Sequence, residues 1–514
     1  MAMEQSGTEK KRNIRLLLLI LALGLFTRSW LFGAVPGDIN QDEAFAGYEA
    51  WSLLTTGADT AGYRFPVYLT AWGSGMNALE SYLMLPFIAL FGLKVWVIRL
   101  PQLLVGLFSI WVLYLTARRM LGERAGLFAT FLLAVCPWHV LLSRWGLESN
   151  LAPGFLLFGL YFFLRGLENS RLFLLSALFY GLSLYAYATI WPFVPLLIGL
   201  QLVYCALCGQ LKADRYLLFS GAVLGALALP LLLFLAVNFG LMEEIRTPVL
   251  SVPRLLYMRS EEISFRNIPE NLKNLLSILL RQSDGLPWNS AGRFGLLYPI
   301  SMPFALLGLA IALRQVIRAR RGYRPEMLLL MNLLAGLLLG ALIRVNVNRV
   351  NIIFLPLVML AALGLSWLDG KAGNRVLPAA AAVYTAFFVC FVGYYFTDYR
   401  QEIRSSFSFG LEAAIETAEA EEGPIYVSER ILYPCVLLFS QTPAEEFRET
   451  VRYRNYPAAF LQVASFGRYV FLYEEAAPEP GAVYILDNWS DLAAFLNAGF
   501  ELKQIGYYKV ATWP

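Results

Sequence analysis

Runs of about 20 residues with almost no charge, among them Ile14–Val35 and Tyr216–Asn238, constrain this chain more than anything else in it. At 1.5 Å of rise per residue, each run matches the roughly 30 Å hydrocarbon core of a bilayer and reads as a membrane-spanning helix. Of the 514 residues, 58% are hydrophobic and 15% charged, against roughly 45–50% and 25% in a soluble domain. A soluble globular protein is thereby excluded. Ile14–Val35 is too long for a signal peptide and lacks its small-residue cleavage site, so a retained first span is expected there.

Hydropathy places further spans near 99–117, 125–142, 151–166, 172–188, 192–208, 216–238, 295–316, 326–343, 350–368 and 376–396, about eleven in all. The stretch Ala78–Phe91 is apolar but short for a span and carries Glu80 near its start. Demoting it to a helix on the outer surface puts Lys10, Lys11, Arg12 and Arg15, Arg118, Arg119 and Arg124, the Arg314–Arg324 cluster, and Lys371 and Arg375 on one side, as the positive-inside bias requires. The expected protein is an all-α polytopic membrane protein of the cell membrane, with its amino terminus cytoplasmic. A membrane domain over 1–396, with outer loops at 36–98 and 239–294, precedes a small extracytoplasmic α/β domain over 397–514.

The formal charge of +4 is a sum of unlike parts. From Thr397 onward there are 17 acidic and 9 basic residues, a net of −8, whereas the preceding residues hold 20 acids and 32 bases, a net of +12. Membrane topology explains the bases of the front part, and no nucleic-acid partner is expected. The tail alternates β-like runs at Pro424–Val427, Arg468–Tyr473, Ala482–Leu486 and Leu502–Val510 with helical patterns at Phe409–Ala420 and Asp491–Asn497, the latter with Ser490 as N-cap. Four of the five cysteines lie in apolar runs, so no disulfide framework is expected. The lone His139 excludes a multi-histidine zinc site and reads as a packing residue. Carboxylates can hold Mg²⁺ or Mn²⁺, but no metal site is definable from the sequence.

Chemistry is to be sought in the outer segments. The first loop contains Asp38-Ile-Asn-Gln-Asp42-Glu43, opening an amphipathic helix that Gly57 stops. By themselves these acids suit capping of a surface helix. Glu148 sits just outside the third span, four residues after Arg144, a spacing that also suits a helical ion pair. An ionisable residue at the edge of an apolar bundle is costly unless it lines a wet or functional cavity. Arg28, Arg64, Lys94, Arg99, Arg254, Arg259 and Arg266 fall on the same side, and arginine forks suit phosphate oxygens.

The run Asp42-Glu43-Ala-Phe-Ala-Gly-Tyr48, the later Arg99-Leu-Pro101, the exit Ala117-Arg118-Arg119-Met-Leu-Gly122 and the carboxylate Glu148 resemble the protein O-mannosyltransferase and aminoarabinose transferase group of GT-C glycosyltransferases. The resemblance covers roughly residues 14–200. It implies a polyprenyl-phosphate-linked sugar donor, transfer on the outer face to an envelope acceptor (lipid, glycan or protein), and inversion at the anomeric carbon. Asp42 matches the family's base or acceptor-positioning acid, Glu43 its neighbour, and Glu148 stands where relatives carry a second carboxylate, often Asp. Arg99, Arg144 and Arg64, in that order, are the candidates for the donor phosphate. The aminoarabinose transferases carry a Lys-Pro-Pro segment where this chain reads Ala71-Trp72-Gly73-Ser74-Gly75, a departure that argues against their substrate. The Trp-Trp-Asp-Tyr-Gly signature of oligosaccharyltransferases is absent from the sequence. The alternative to an enzyme is a transporter or flippase of a lipid-linked or glycan substrate. Transporters tend to show paired repeats and charges at mid-span, whereas here the charges gather in one outer loop.

Overall fold

The computed structural model describes residues 2–258, 263–320, 322–472 and 478–514, with side chains from residue 9 onward. Arg259, Arg321 and Tyr473 lie outside them. The chain forms two compact units: Met1–Phe32, Gln102–Leu229 and Ser260–Tyr399 make the first, and Gly33–Pro101, Pro230–Arg259 and Arg400–Pro514 the second.

Among the described residues, eight helices are long and apolar enough to cross a membrane: Val95–Leu121, Glu148–Glu168, Ala188–Leu207, Arg215–Asn238, Ser301–Ala319, Pro325–Leu342, Asn351–Lys371 and Val376–Glu402. The chain is a multi-pass membrane protein. Eleven spans were expected, and the other three stretches are helical but fall short. Ala2–Ser29 ends early enough that Arg12, Arg15 and Arg28 all lie within its last 18 residues. The run at 172–188 yields the 11-residue helix Phe173–Ser183 behind a 3₁₀ turn. The run at 125–142 breaks into Glu123–Val135 and Pro137–Leu142, because Pro137 brings no N–H and Cys136 before it is extended (φ −69°, ψ 123°).

That break would leave backbone groups without partners inside an apolar bundle, where each costs several kcal/mol. The first unit answers with long-range donors. Trp138 N–H turns to Leu296 O at 2.9 Å, Arg28 donates to Leu133 O at 3.1 Å and Ala134 O at 3.0 Å, and the Tyr298 hydroxyl donates to Val135 O at 2.9 Å. Arg28 also donates to His139 Nδ1 at 2.8 Å, so His139 is a buried acceptor within this repair. Elsewhere in the unit, small residues let helices touch: a Cβ at Gly364 would collide with Phe304 O, and one at Gly308 with Leu360 O. The helix Val376–Phe396 buries only the stripe Tyr384, Phe388, Phe391 and Tyr395, spaced to share one face.

The second unit is built around a seven-stranded sheet with strands β1 (Ile425–Ser428), β2 (Arg452–Tyr453), β3 (Val463–Phe466), β4 (Tyr469–Leu472), β5 (Val483–Leu486), β6 (Glu501–Ile505) and β7 (Tyr508–Thr512). Their order is β6-β7-β5-β1-β4-β3-β2, with β1 parallel to both β4 and β5 and the remaining pairs antiparallel. The expected strand Leu502–Val510 is in fact the hairpin β6–β7, turned at Gly506 (φ 58°). The helix Leu411–Glu419 buries Leu411, Ala414, Ile415 and Ala418. The helix Leu492–Asn497 is capped by Asp491, whose carboxylate accepts from Ala493 N–H, and not by Ser490. One apolar core joins Ile39, Phe45, Tyr48, Leu53, Met84 and Ile98 of the first loop to Leu411, Ile425, Val436, Val463 and Val510 of the tail. Loop and tail therefore fold as one body. Within it, Leu79–Phe91 is a 13-residue helix, shorter than a span.

Candidate active site

The paired acids sit at the start of the helix Gln41–Thr56. Asn40 is extended (φ −81°, ψ 152°); its Oδ1 accepts from Asp42 N–H at 3.0 Å, and its own N–H donates to Glu43 Oε2 at 3.1 Å. This reciprocal capping fixes the first turn. Gly57 ends the helix in the left-handed region (φ 71°), donating to Leu53 O at 3.0 Å.

Glu43 does more than cap. Arg99, wholly buried, donates from Nε to Glu43 Oε1 at 2.7 Å and from Nη2 to Oε2 at 2.8 Å. Its other donors reach Asp38 O at 2.6 Å, Pro36 O at 2.9 Å and Gly37 O at 3.1 Å. A guanidinium has five N–H groups, and all five are occupied. The bidentate pair thus ties the approach Pro36–Asp38 to the first turn of the helix. Tail residues complete the clamp. Ser406 O accepts from Asn40 Nδ2 at 3.2 Å, Gly410 N–H donates to the Asp38 carboxylate, and the Phe407 ring lies under Arg99 with 5.6 Å from guanidinium carbon to ring centre. Burial pushes the Asp38 carboxyl above its ordinary range, against the pull of that Gly410 N–H. Asp42 stands beside the clamp, half-buried.

A second buried acid pair follows, which the sequence reading passed over. Glu49 accepts from Thr60 N–H at 2.9 Å and from the Thr60 hydroxyl; Asp59 accepts from Ala61 N–H at 3.1 Å, Tyr63 N–H at 2.8 Å and the Thr70 hydroxyl at 3.0 Å. Burial pushes the Glu49 carboxyl up to about 8, with the neighbouring Asp59 charge adding to it, and burial raises Asp59 as well. Its one trace in the sequence is spacing: Glu49 lies seven residues after Asp42, two turns along the same face of the helix.

Arg64 belongs to the same unit, is exposed, and makes no hydrogen bond or ion pair with a described residue. Arg144 and Glu148 belong to the first unit. Arg144 is buried and caps the end of the Ala2–Ser29 helix, donating to Thr27 O at 2.9 Å, Arg28 O at 2.8 Å, Leu31 O at 3.1 Å and the Tyr395 hydroxyl at 3.1 Å. Glu148 is half-buried and opens the 3₁₀ turn Glu148–Leu151. Because a turn separates positions 144 and 148, the helical spacing expected of them does not apply. Among the described residues, no group of three or more His, Cys, Asp and Glu side chains is placed to hold a metal ion.

The fold corresponds to those of known proteins. Residues 79–238 match the family model described as dolichyl-phosphate-mannose-protein mannosyltransferase. ArnT from Cupriavidus metallidurans in the apo state aligns over 99% of this chain and 98% of its own, at 15% identity and a TM-score of 0.55. The same protein bound to undecaprenyl phosphate aligns over 98% and 97%, at 15% identity and a TM-score of 0.56. The Archaeoglobus fulgidus oligosaccharyltransferase, tethered to an acceptor peptide, aligns over 85% of this chain and 64% of its own, at 14% identity and a TM-score of 0.52. No curated protein sequence matches the chain. The fold is that of the GT-C glycosyltransferases. The family-model match covers residues 79–238, under a third of the chain, and the likeness to the solved structures is one of fold. The oligosaccharyltransferase shares the architecture although its signature pentapeptide is missing here, a reminder that fold and site are separate.

Proposed function

We propose that the chain is a glycosyltransferase that moves a sugar from a polyprenyl-phosphate donor to an acceptor hydroxyl on the outer membrane face, with inversion and with Asp42 as base. The observation that carries this reading is the position of Asp42: on the first turn of a helix fixed by the Asn40 cap and the Glu43–Arg99 pair, in a fold shared over nearly its whole length with a protein solved with undecaprenyl phosphate. As the acceptor oxygen bonds to the anomeric carbon, the bond from that carbon to the phosphate oxygen breaks. The acceptor proton passes to a carboxylate within about 3 Å. The phosphate leaves already ionised and needs positive charge rather than a proton, so one carboxylate with cationic help suffices.

The three arginines divide differently from their order in the sequence reading. Arg99 and Arg144 are occupied by carbonyls and, for Arg99, by Glu43, which makes them positioning residues. Arg64, whose guanidinium makes no bond with a described residue, is the candidate for the donor phosphate. Glu43 acts through the helix turn that bears Asp42, and the sequence resemblance gives Glu148 the place of a second carboxylate. An outward-facing first loop and tail are supported by the basic residues clustered in the other connecting segments of the sequence, such as 118–124 and 314–324, and by the joint folding of first loop and tail.

The test is purified full-length protein in nanodiscs, incubated with a panel of labelled polyprenyl-phosphate sugars. One donor should lose its sugar, and Asp42→Asn should slow that loss by about 10²–10⁴-fold with the melting temperature unchanged. If a folded protein consumes none of the donors, the reading fails in favour of translocation.

A further inference from the structure

The carboxyl ends of the two central parallel strands carry a group of side chains that glycosyl transfer at Asp42 does not use. Strands β1 and β5 run side by side, Ile425 opposite Val483 and Val427 opposite Ile485. Beyond β1 the chain enters the helix Tyr433–Ser440, which packs in the core holding Val427, Val483 and Ile485. Beyond β5 it enters Leu492–Asn497, whose Phe495 packs with Tyr484 and Leu486. Because alternate residues of a strand face opposite sides, these two helices cover opposite faces of the sheet. Adjacent parallel strands whose connections depart to opposite faces open a crevice at their carboxyl ends, the place where open α/β sheets bind ligands.

The side chains at that crevice are arranged around one fixed carboxylate. Ser428, the last residue of β1, donates to Asp487 Oδ2 at 2.9 Å, and Asp487 Oδ1 accepts from Trp489 N–H at 2.8 Å and from the Ser490 hydroxyl at 3.2 Å. Arg430 Nε lies 3.7 Å from Asp487 Oδ2, and the guanidinium carbon stands 5.4 Å from the centre of the Trp489 ring. The carboxylate thereby sets both the loop that carries the indole and the cation beside it. Trp489 itself is 79% exposed, more than any other large apolar side chain described in the tail. A flat apolar face rimmed by hydrogen-bonding groups suits a pyranose ring, whose C–H face stacks on the π cloud while its hydroxyls turn to the rim. Arg430 and the exposed Asn488 provide that rim. The net −8 of the tail disfavours a polyanion.

We propose that the crevice at the carboxyl ends of β1 and β5 binds a neutral glycan, with Trp489 as its stacking platform and Arg430 and Asn488 as its hydrogen-bonding rim. The proposal goes beyond sugar transfer and is tested without it. Full-length protein bearing Asp42→Asn, in detergent, is applied to an array of neutral and phosphorylated oligosaccharides. Retention of neutral glycans is expected, and adding Trp489→Ala should weaken it by about tenfold or more, which corresponds to roughly 1.4 kcal/mol. Arg430→Gln should weaken it less. Both changes should leave the melting temperature unaltered. Failure to retain any glycan, retention of phosphorylated glycans alone, or retention indifferent to Trp489→Ala would each overturn the proposal. So would quenching of Trp489 fluorescence by brominated lipid in nanodiscs, which would make the indole a membrane anchor.

Discussion

Arg99 and Glu43 are 56 residues apart in sequence and form the best-satisfied charged pair of the second unit. Removing one member of such a buried pair leaves the other uncompensated, so Arg99→Met should cost about 3–5 kcal/mol. Arg99→Lys should recover little, because an ammonium cannot make the fork. Thermal melting of the purified protein reads both, and a melt unchanged in Arg99→Met would show that the clamp is dispensable. Glu49 gives a second prediction at this scale. Its folded carboxyl titrates at about 8, above its unfolded value, so the native state favours the protonated form. The stability it contributes is complete below the unfolded value and is lost as pH rises to about 8. The midpoint of denaturation should therefore fall from pH 5 to pH 8 in the native protein and flatten over that range in Glu49→Gln. The sequence shows Asp42, Glu43 and Arg99 as candidates because position in the first loop is readable. It cannot show that Arg99 binds Glu43 and three carbonyls, since that depends on where the chain returns.

At the scale of elements, the long apolar runs were legible as helices and their interruptions were not. Pro137 sits inside a continuous hydropathic stretch, and only the backbone reveals that Cys136 is extended and that Arg28, Tyr298 and Leu296 supply the lost partners. Arg28→Met should leave Ala134 O and His139 Nδ1 without this donor, at about 1–3 kcal/mol. A variant that melts with the native protein would contradict the role given to Arg28. In the tail, β4 follows its alternation and the helix Leu411–Glu419 its periodicity, while β5 is a short apolar run buried on both faces. The helix Tyr433–Ser440 escaped the sequence reading because Tyr-Pro-Cys-Val-Leu-Leu-Phe-Ser has no polar face to set a period. The cap at Asp491 was read one residue early, as neighbouring Ser and Asp are equally good acceptors.

For the molecule as a whole, hydropathy drew a boundary near residue 397, and the second unit resumes at Arg400. What composition could not disclose is that residues 33–101 and 230–259 belong with the tail. Loops are assigned to the membrane domain by their neighbours in sequence, whereas the apolar core that claims them is assembled from distant segments. Deleting everything after residue 399 should therefore expose Phe45, Tyr48 and Leu53 and make the 36–98 loop sensitive to protease in nanodiscs, while the full chain resists. Equal resistance in both would show that the loop folds alone. The shared core also imposes an order on biogenesis. Ile39 and Phe45 leave the ribosome hundreds of residues ahead of Leu411 and Val510, so the segment bearing Asp42 must wait, unsheltered, until the 400–514 segment has been made. The order of the first loop would then be acquired all at once, when the 400–514 segment folds onto it, and a ribosome that stalls before that segment would release a chain whose first loop has no core to join.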